Sequence, residues 1–195
     1  LDAERVGDSK VVWELSRHQW LVTLAQAYRL TGEERYALPF AGHAGDWLDS
    51  NPVGHGINWA SSLEVALRLV SWCWALVLLR RSAALTPELF GRLRRSLVQH
   101  ARHVDRYLSF YFSPNTHLTG EALGLFYAGT LFPELAGADR WRARACHVLS
   151  TFLCRQALDD GVYFEQSTDY QRYTVEIGLH FLALCLRNGW PAPAA

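Results

Sequence analysis

Residues 61–82, SSLEVALRLVSWCWALVLLRRS, decide the fold class. Apolar side chains recur there at three- and four-residue spacings, with none of the alternation of a half-buried strand. Leu63 to Leu79 is the longest apolar run in the chain, yet Glu64 and Arg68 interrupt it. It therefore reads as a buried helix rather than a bilayer span, and no other run comes closer to membrane-spanning length. The same helical period continues on both sides of this stretch, so the chain reads as all-α.

Punctuation between the periodic stretches sets the predicted elements. Asp8 and Ser9 precede a helix over about 10–30, in which Trp13, Leu15, Trp20, Leu21, Leu24 and Tyr28 are expected to be buried and which Gly32 stops. A second helix covers about 34–49. Asn51-Pro52, Gly54 and Gly56 make a loop before the third helix at 61–82. Thr86 caps and Pro87 opens a fourth helix to about 109. Thr119 is expected to cap a fifth over 120–132, and a sixth occupies about 139–158. Asp159-Asp160-Gly161 turns the chain, 162–167 is irregular or briefly extended, and Thr168 caps a seventh helix to about 187, with Gly189-Trp190-Pro191 ending it. Helices in this number joined by short loops predict stacked antiparallel hairpins.

At 195 residues and 50% hydrophobic composition, the chain is long and apolar enough for one globular domain over 1–195. Nineteen basic side chains balance nineteen acidic ones, so no global field attracts nucleic acid. Lys10 is the one lysine, and arginine supplies the remaining basic residues. Cys73, Cys146, Cys154 and Cys185 lie in apolar helical stretches without zinc-site spacing, and are expected to be buried free thiols. The chain starts at Leu1 without a leader and contains no methionine, which reads as a fragment of a longer protein.

Three polar clusters stand out from an ordinary core. Glu14, Arg17 and His18, with Gln19 beside them, fall on one face of the first predicted helix, where a solvated ion-pair face is the plain reading. Asn58, Trp59, Ser62, Glu64 and Arg68 open the third helix, where capping by Asn58 or Ser61 and a Glu64–Arg68 pair account for most of the pattern. The third cluster is two loop-to-helix junctions, Asn115-Thr116-His117 with Glu121, and Glu165-Gln166-Ser167 with Tyr170 and Arg172. Helix N-termini favour anions, but capping does not call for His117, Glu165 or Tyr170.

No nucleophile elbow, zinc-protease motif or phosphate loop is present. Paired acids for glycoside hydrolysis remain open through Glu14, Glu64, Glu121, Glu165 and Asp169. Amide, imidazole and phenol together fit β-elimination from a uronate instead. An amide or imidazolium shields the carboxylate and acidifies the C-5 hydrogen, a base removes that hydrogen, and an acid protonates the departing O-4. Arg172 or His117 beside Tyr170 would ease formation of the phenolate.

At these residues the chain resembles the N-terminal helical domain of the heparinase II/III-like polysaccharide lyases. The resemblance rests on four ordered blocks: Val12-Trp13-Glu14-Leu15-Ser16-Arg17-His18-Gln19, then Gly56-Ile57-Asn58-Trp59 with Glu64 and Arg68, then Asn115-Thr116-His117 with Glu121, then Asp160-Gly161 with Glu165-Gln166-Ser167 and Tyr170. It implies an incomplete (α/α) toroid of antiparallel hairpins that binds an acidic, uronate-containing polysaccharide. In full-length members a C-terminal β-sandwich domain follows, which is expected to lie outside this chain. By the same resemblance Tyr170 is Brønsted base and acid, Asn115 neutralises the uronate carboxylate, and His117 assists proton abstraction. Trp59 is expected to offer a stacking face, and Asn58, Arg17, His18, Gln19, Glu64 and Glu121 to line or brace the groove, with Glu165 and Arg172 also assigned to substrate binding. Where the family often has Asn-Asn-His and Tyr-His, this chain has Asn115-Thr116-His117 and Tyr170-Gln171.

The resemblance further implies a carbon–oxygen lyase without metal or other cofactor, acting in the periplasm or outside the cell on a glycosaminoglycan, alginate or similar polymer. Nucleic acid and membrane insertion are not expected. Two rival readings use the same residues: a carbohydrate-binding domain without catalysis, and a helical scaffold for protein partners.

Overall fold

A computed structural model describes residues 7–190. Among these residues the α-helices are α1 (Ser9–Ser16), α2 (Gln19–Thr31), α3 (Glu34–Ser50), α4 (Ser62–Leu79), α5 (Pro87–Arg106), α6 (Thr116–Leu131), α7 (Ala138–Gln156) and α8 (Thr168–Asn188), with a 3-10 turn at Ile57–Trp59 before α4. The extended pairing at 157–163 is a single antiparallel bridge between Ala157 and Tyr163. Two compact units divide at His103 and Val104, inside α5. Pro191, expected at the end of the last helix, lies outside the described residues.

In the first unit, α2 turns into α3 at Gly32, whose positive φ of 74° suits glycine and whose N–H returns to Tyr28 O. Helix α2 packs against both α3 and α4. Leu21 and Ala25, Phe40 and Trp47, Leu69 and Trp72, and Leu93 and Leu97 are buried there. Helix α4 is long and apolar enough to cross a membrane by length and composition alone. Eleven of its 18 residues are buried, Glu64 and Arg68 among them, and each of these two charges is bonded to other residues of the unit, as in a core helix.

One predicted element is wrong here. The helix expected over 10–30 is broken: α1 ends at Ser16, His18 adopts a left-handed φ of 60°, and α2 begins at Gln19. Leu15 and Trp20, expected to be buried, flank the break and are 64% and 36% exposed. The cause of the break is tertiary, because Trp72 Nε1 donates to His18 Nδ1 at 2.8 Å and holds the imidazole inward.

In the second unit, α6 buries 14 of its 16 residues and packs against both α7 and α8, which explains its lack of a polar face. Gly129 makes the close approach to α7 possible: a Cβ there would lie 2.5 Å from Ala138 O and 2.9 Å from Arg142 N. Helix α6 starts earlier than expected because Asn115, not Thr119, is its cap, with Asn115 Oδ1 accepting from His117 N at 3.0 Å. The Thr119 hydroxyl instead returns to the Asn115 and Thr116 carbonyls. Ser167, not Thr168, caps α8. All four cysteines are unpaired. Cys73 and Cys185 are buried, Cys146 is half-buried, and Cys154 is exposed, contrary to the expectation of burial.

Candidate functional site

The polar residues of the first unit are largely bonded to one another. Glu64 faces Arg17 rather than Arg68: Arg17 Nε and Nη2 donate to its two oxygens at 2.7 and 2.9 Å. This two-point fork fixes the end of α1 to the start of α4. The pairing expected between Glu64 and Arg68 is therefore not made. Arg68 turns inward, completely buried, and donates to His100 Nε2 at 2.9 Å, to Ser16 O at 3.2 Å and to Asn58 O at 2.9 Å. Its guanidinium lies 4.3 Å from the centre of the Trp47 ring.

Two imidazoles in this cluster, His100 and His18, have a tautomer set by their hydrogen bonds. His100 Nδ1 lies 2.7 Å from Ser96 O, so that nitrogen carries the hydrogen while Nε2 accepts from Arg68. Burial, reinforced by Arg68, keeps its pKa well below the ordinary histidine value. His18 accepts at Nδ1 from Trp72, so its hydrogen is on Nε2. Burial, with Arg68 and His43 adding, pushes its pKa down to about 3. Burial also lowers the Arg68 pKa to about 9, which leaves the cation intact at neutral pH.

Trp59 corrects a specific expectation. It is 4% exposed, packed 4.6 Å from His100 and 5.3 Å from His103 between ring centres, and has no open face for a sugar. Asn58 is likewise buried: its amide donates to Asn51 Oδ1 at 2.8 Å and its carbonyl accepts from Arg68. Both brace the 3-10 turn rather than line a groove. Gln19 is exposed at the first position of α2.

In the second unit the structure brings together residues 50 apart in sequence. Asn115 Nδ2 donates to Glu165 Oε1 at 3.0 Å, and Thr116 Oγ1 donates to Glu165 Oε2 at 3.2 Å. Asn115 Oδ1 also lies 3.1 Å from His117 Nδ1. An amide oxygen only accepts, so this contact places the His117 hydrogen on Nδ1 and leaves Nε2 as the lone-pair nitrogen of the neutral ring. Glu165, assigned to substrate binding from sequence, is thus a strut that ties the α8 approach loop to the α6 cap.

Tyr170 stands at the third position of α8, directly after that loop, and is 45% exposed. Arg172 is exposed two residues on, about 200° round the helix, so it faces away from the phenol rather than standing beside it. Gln171 closes the loop: its Oε1 accepts from Tyr163 N at 2.5 Å and its Nε2 donates to Gly161 O. Glu121 is 1% exposed, so it braces rather than lines: it accepts from Ser109 N and Oγ, both at 2.7 Å. Burial pushes its pKa up to about 7, against the opposing pull of those two bonds.

Among the described residues, the non-glycine positions with left-handed φ are His18 and Gln166, each adjacent to a candidate residue. Sequence reading missed as supports Ser109, His100 and Gln156, whose amide donates to Pro114 O and accepts from the Tyr163 hydroxyl. Only their partners, distant in sequence, give them a role. No cluster of three metal-ligating side chains occurs among the described residues.

Comparison with known proteins extends this picture. The family model described as "Heparinase II/III N-terminus" matches residues 2–192. A heparin-sulfate lyase of Bacteroides stercoris is 29% identical over 192 residues, covering 88% of this chain and 28% of that protein. A heparin-sulfate lyase of Pedobacter heparinus is 32% identical over 179 residues, covering 89% and 27%. A crystal structure of heparinase III superposes with a TM-score of 0.81 at 28% identity, over 91% of this chain and 28% of that one. The structure of the heparan sulfate lyase HepC from Pedobacter heparinus gives 0.77 at 30% identity, over 95% and 30%. The match is to (α/α) toroid helices, and that is the fold class of this chain. The chain spans less than a third of the length of these relatives.

Proposed function

Because the chain belongs to the heparinase II/III family, which its match over residues 2–192 shows, we propose that it is the helical part of a lyase that splits a heparan-type, uronate-containing polysaccharide by β-elimination. The observation that carries this reading is the half-committed state of the Asn115–His117 pair. An amide nitrogen has two hydrogens: Asn115 gives one to Glu165 and keeps the other for a uronate carboxylate. His117, oriented through Nδ1, keeps Nε2 uncommitted.

Shielding of the carboxylate acidifies C-5. The Tyr170 phenolate takes the C-5 hydrogen, and the C–H electron pair becomes the C4=C5 double bond as the C4–O4 bond breaks. O-4 then leaves with the proton handed on by the Tyr170 phenol, which regenerates the phenolate. Among the polymers that meet these demands, a heparan-type chain is favoured over alginate because both cited relatives are heparin-sulfate lyases. A polymer of this size does not cross the cytoplasmic membrane, so the reaction belongs in the periplasm or outside the cell.

The test uses the intact protein, since the matched span is 28% of a relative's length. Heparan sulfate, hyaluronan, chondroitin and alginate are offered separately, and near-ultraviolet absorbance of the unsaturated product is followed. Tyr170→Phe is expected to lower kcat by about 10³-fold, in the range for loss of a general acid–base group, with binding unchanged. Undiminished turnover would remove Tyr170 from the chemistry, and no absorbance from any polymer would overturn the lyase reading.

A further inference from the structure

A wide-mouthed surface cavity of about 420 Å³ lies in the first unit beside the His18 turn, within the range of about 300–1,000 Å³ common for small-molecule sites. His18, Trp20, His43, Asp46 and Asn51 are among the residues that line it. His18 is 4% exposed, and its Nδ1 is taken by Trp72. Its Nε2–H is thus a locked donor on a cavity wall, with no acceptor for it among the described residues. Burial keeps the ring neutral across the physiological range, so the site presents a hydrogen and not a charge. Trp20 is fixed by the bond from its Nε1 to Leu15 O at 3.2 Å, and the His43 ring meets it edge-on at 5.0 Å. Asp46 adds a carboxylate that is exposed and has no ion pair or hydrogen bond among the described residues.

No lysine or arginine lines this cavity, so a sulfate or carboxylate would meet Asp46 without a compensating cation. The chemistry suits the opposite kind of group. A carboxylate accepts from two neighbouring sugar hydroxyls, a fixed N–H donates to a hydroxyl oxygen, and an indole covers the C–H face of a ring. We propose that this cavity is a saccharide subsite for the hydroxyl-bearing face of a pyranose, separate in its chemistry from the carboxylate recognition assigned to Asn115 and His117. The proposal rests on the lyase reading and adds to it a binding role for Trp20 and Asp46, with His18 as the donor.

The experiment uses the intact protein and a heparan sulfate tetrasaccharide. Asp46→Ala and Trp20→Ala both change exposed side chains, and thermal melts check that each variant folds as the parent does. Each is expected to raise KM about tenfold with kcat within twofold. In a Tyr170→Phe background, each is expected to weaken tetrasaccharide binding by calorimetry to the same degree. Trp20→Phe should restore most of the affinity lost in Trp20→Ala, because a ring face is returned. Wild-type turnover with KM and binding unchanged in both alanine variants would overturn the subsite and leave the lyase reading standing. Neither turnover nor tetrasaccharide binding by the wild-type protein would overturn the lyase reading and the subsite with it.

Discussion

Arg68 offers the sharpest test of how the first unit is held. Its three hydrogen bonds run to the end of α1 through Ser16 O, to the 3-10 turn through Asn58 O, and to α5 through His100 Nε2. Hydrogen bonds from a charged group contribute about 1.5–3 kcal/mol each, net of desolvation, so three amount to at least about 4.5 kcal/mol. The contact with the Trp47 ring adds about 1 kcal/mol. Arg68→Met keeps much of the volume but orphans three buried acceptors, and should cost about 5 kcal/mol. At about 2–4 °C per kcal/mol for a chain of 195 residues, the melting point should fall by about 10–20 °C. Tryptophan fluorescence reads the transition directly, because Trp47, Trp59 and Trp72 all pack around this centre. Arg68→Lys, whose donors all sit on one nitrogen and cannot span three separated acceptors, should fall between the two. A melting point for Arg68→Met within about 3 °C of the parent would refute the claim that the guanidinium is the strut.

Two further predictions concern the second unit. The Glu121 pKa is raised from 4.5 to about 7, so over that window the folded state holds a proton that the unfolded state has released. Stability should therefore fall as pH rises from about 4.5 to 7, by up to about 3 kcal/mol, and level off above. Urea unfolding at pH 5 and pH 8 should show this slope in the parent and lose most of it in Glu121→Gln; an equal slope in both would refute the assignment. Gly129→Ala sets a gain in helix propensity of about 1 kcal/mol against a Cβ driven into the Ala138 and Arg142 backbone, which costs about 3 kcal/mol. The variant should melt lower, and a rise in melting temperature would show that α6 and α7 part easily.

The helices were legible because their period and caps are local. Thr86-Pro87 opens α5, Gly32 closes α2, and the apolar run of α4 is buried as its pattern implies. What the sequence could not show was set by partners far along the chain. The break at His18 depends on Trp72, 54 residues away, and Glu64 finds Arg17, 47 residues back, instead of the helical neighbour four residues on. Asn115 and Thr119 are both able caps, and the choice falls to Asn115 because Glu165 also holds its amide. The burial of Trp59 was equally hidden: an indole after a glycine loop looks the same in sequence whether it faces sugar or His100.

Hydrogen-bond satisfaction separates the two groups of polar residues more cleanly than their sequence blocks do. Arg68, His100 and the Arg17–Glu64 fork are fully engaged within the first unit, so their chemistry ends in positioning. His117 and His18 are each held at one ring nitrogen, and Asn115 at its oxygen and one amide hydrogen, so each keeps one polar position uncommitted. A side chain that is rigidly held but half-satisfied has already lost most of its conformational freedom before a ligand arrives, which is the condition for strong orientation of a bound sugar. On this ground the strut Glu165 matters as much as the amide it holds. Without it Asn115 would still cap α6, but its second hydrogen would have no fixed direction.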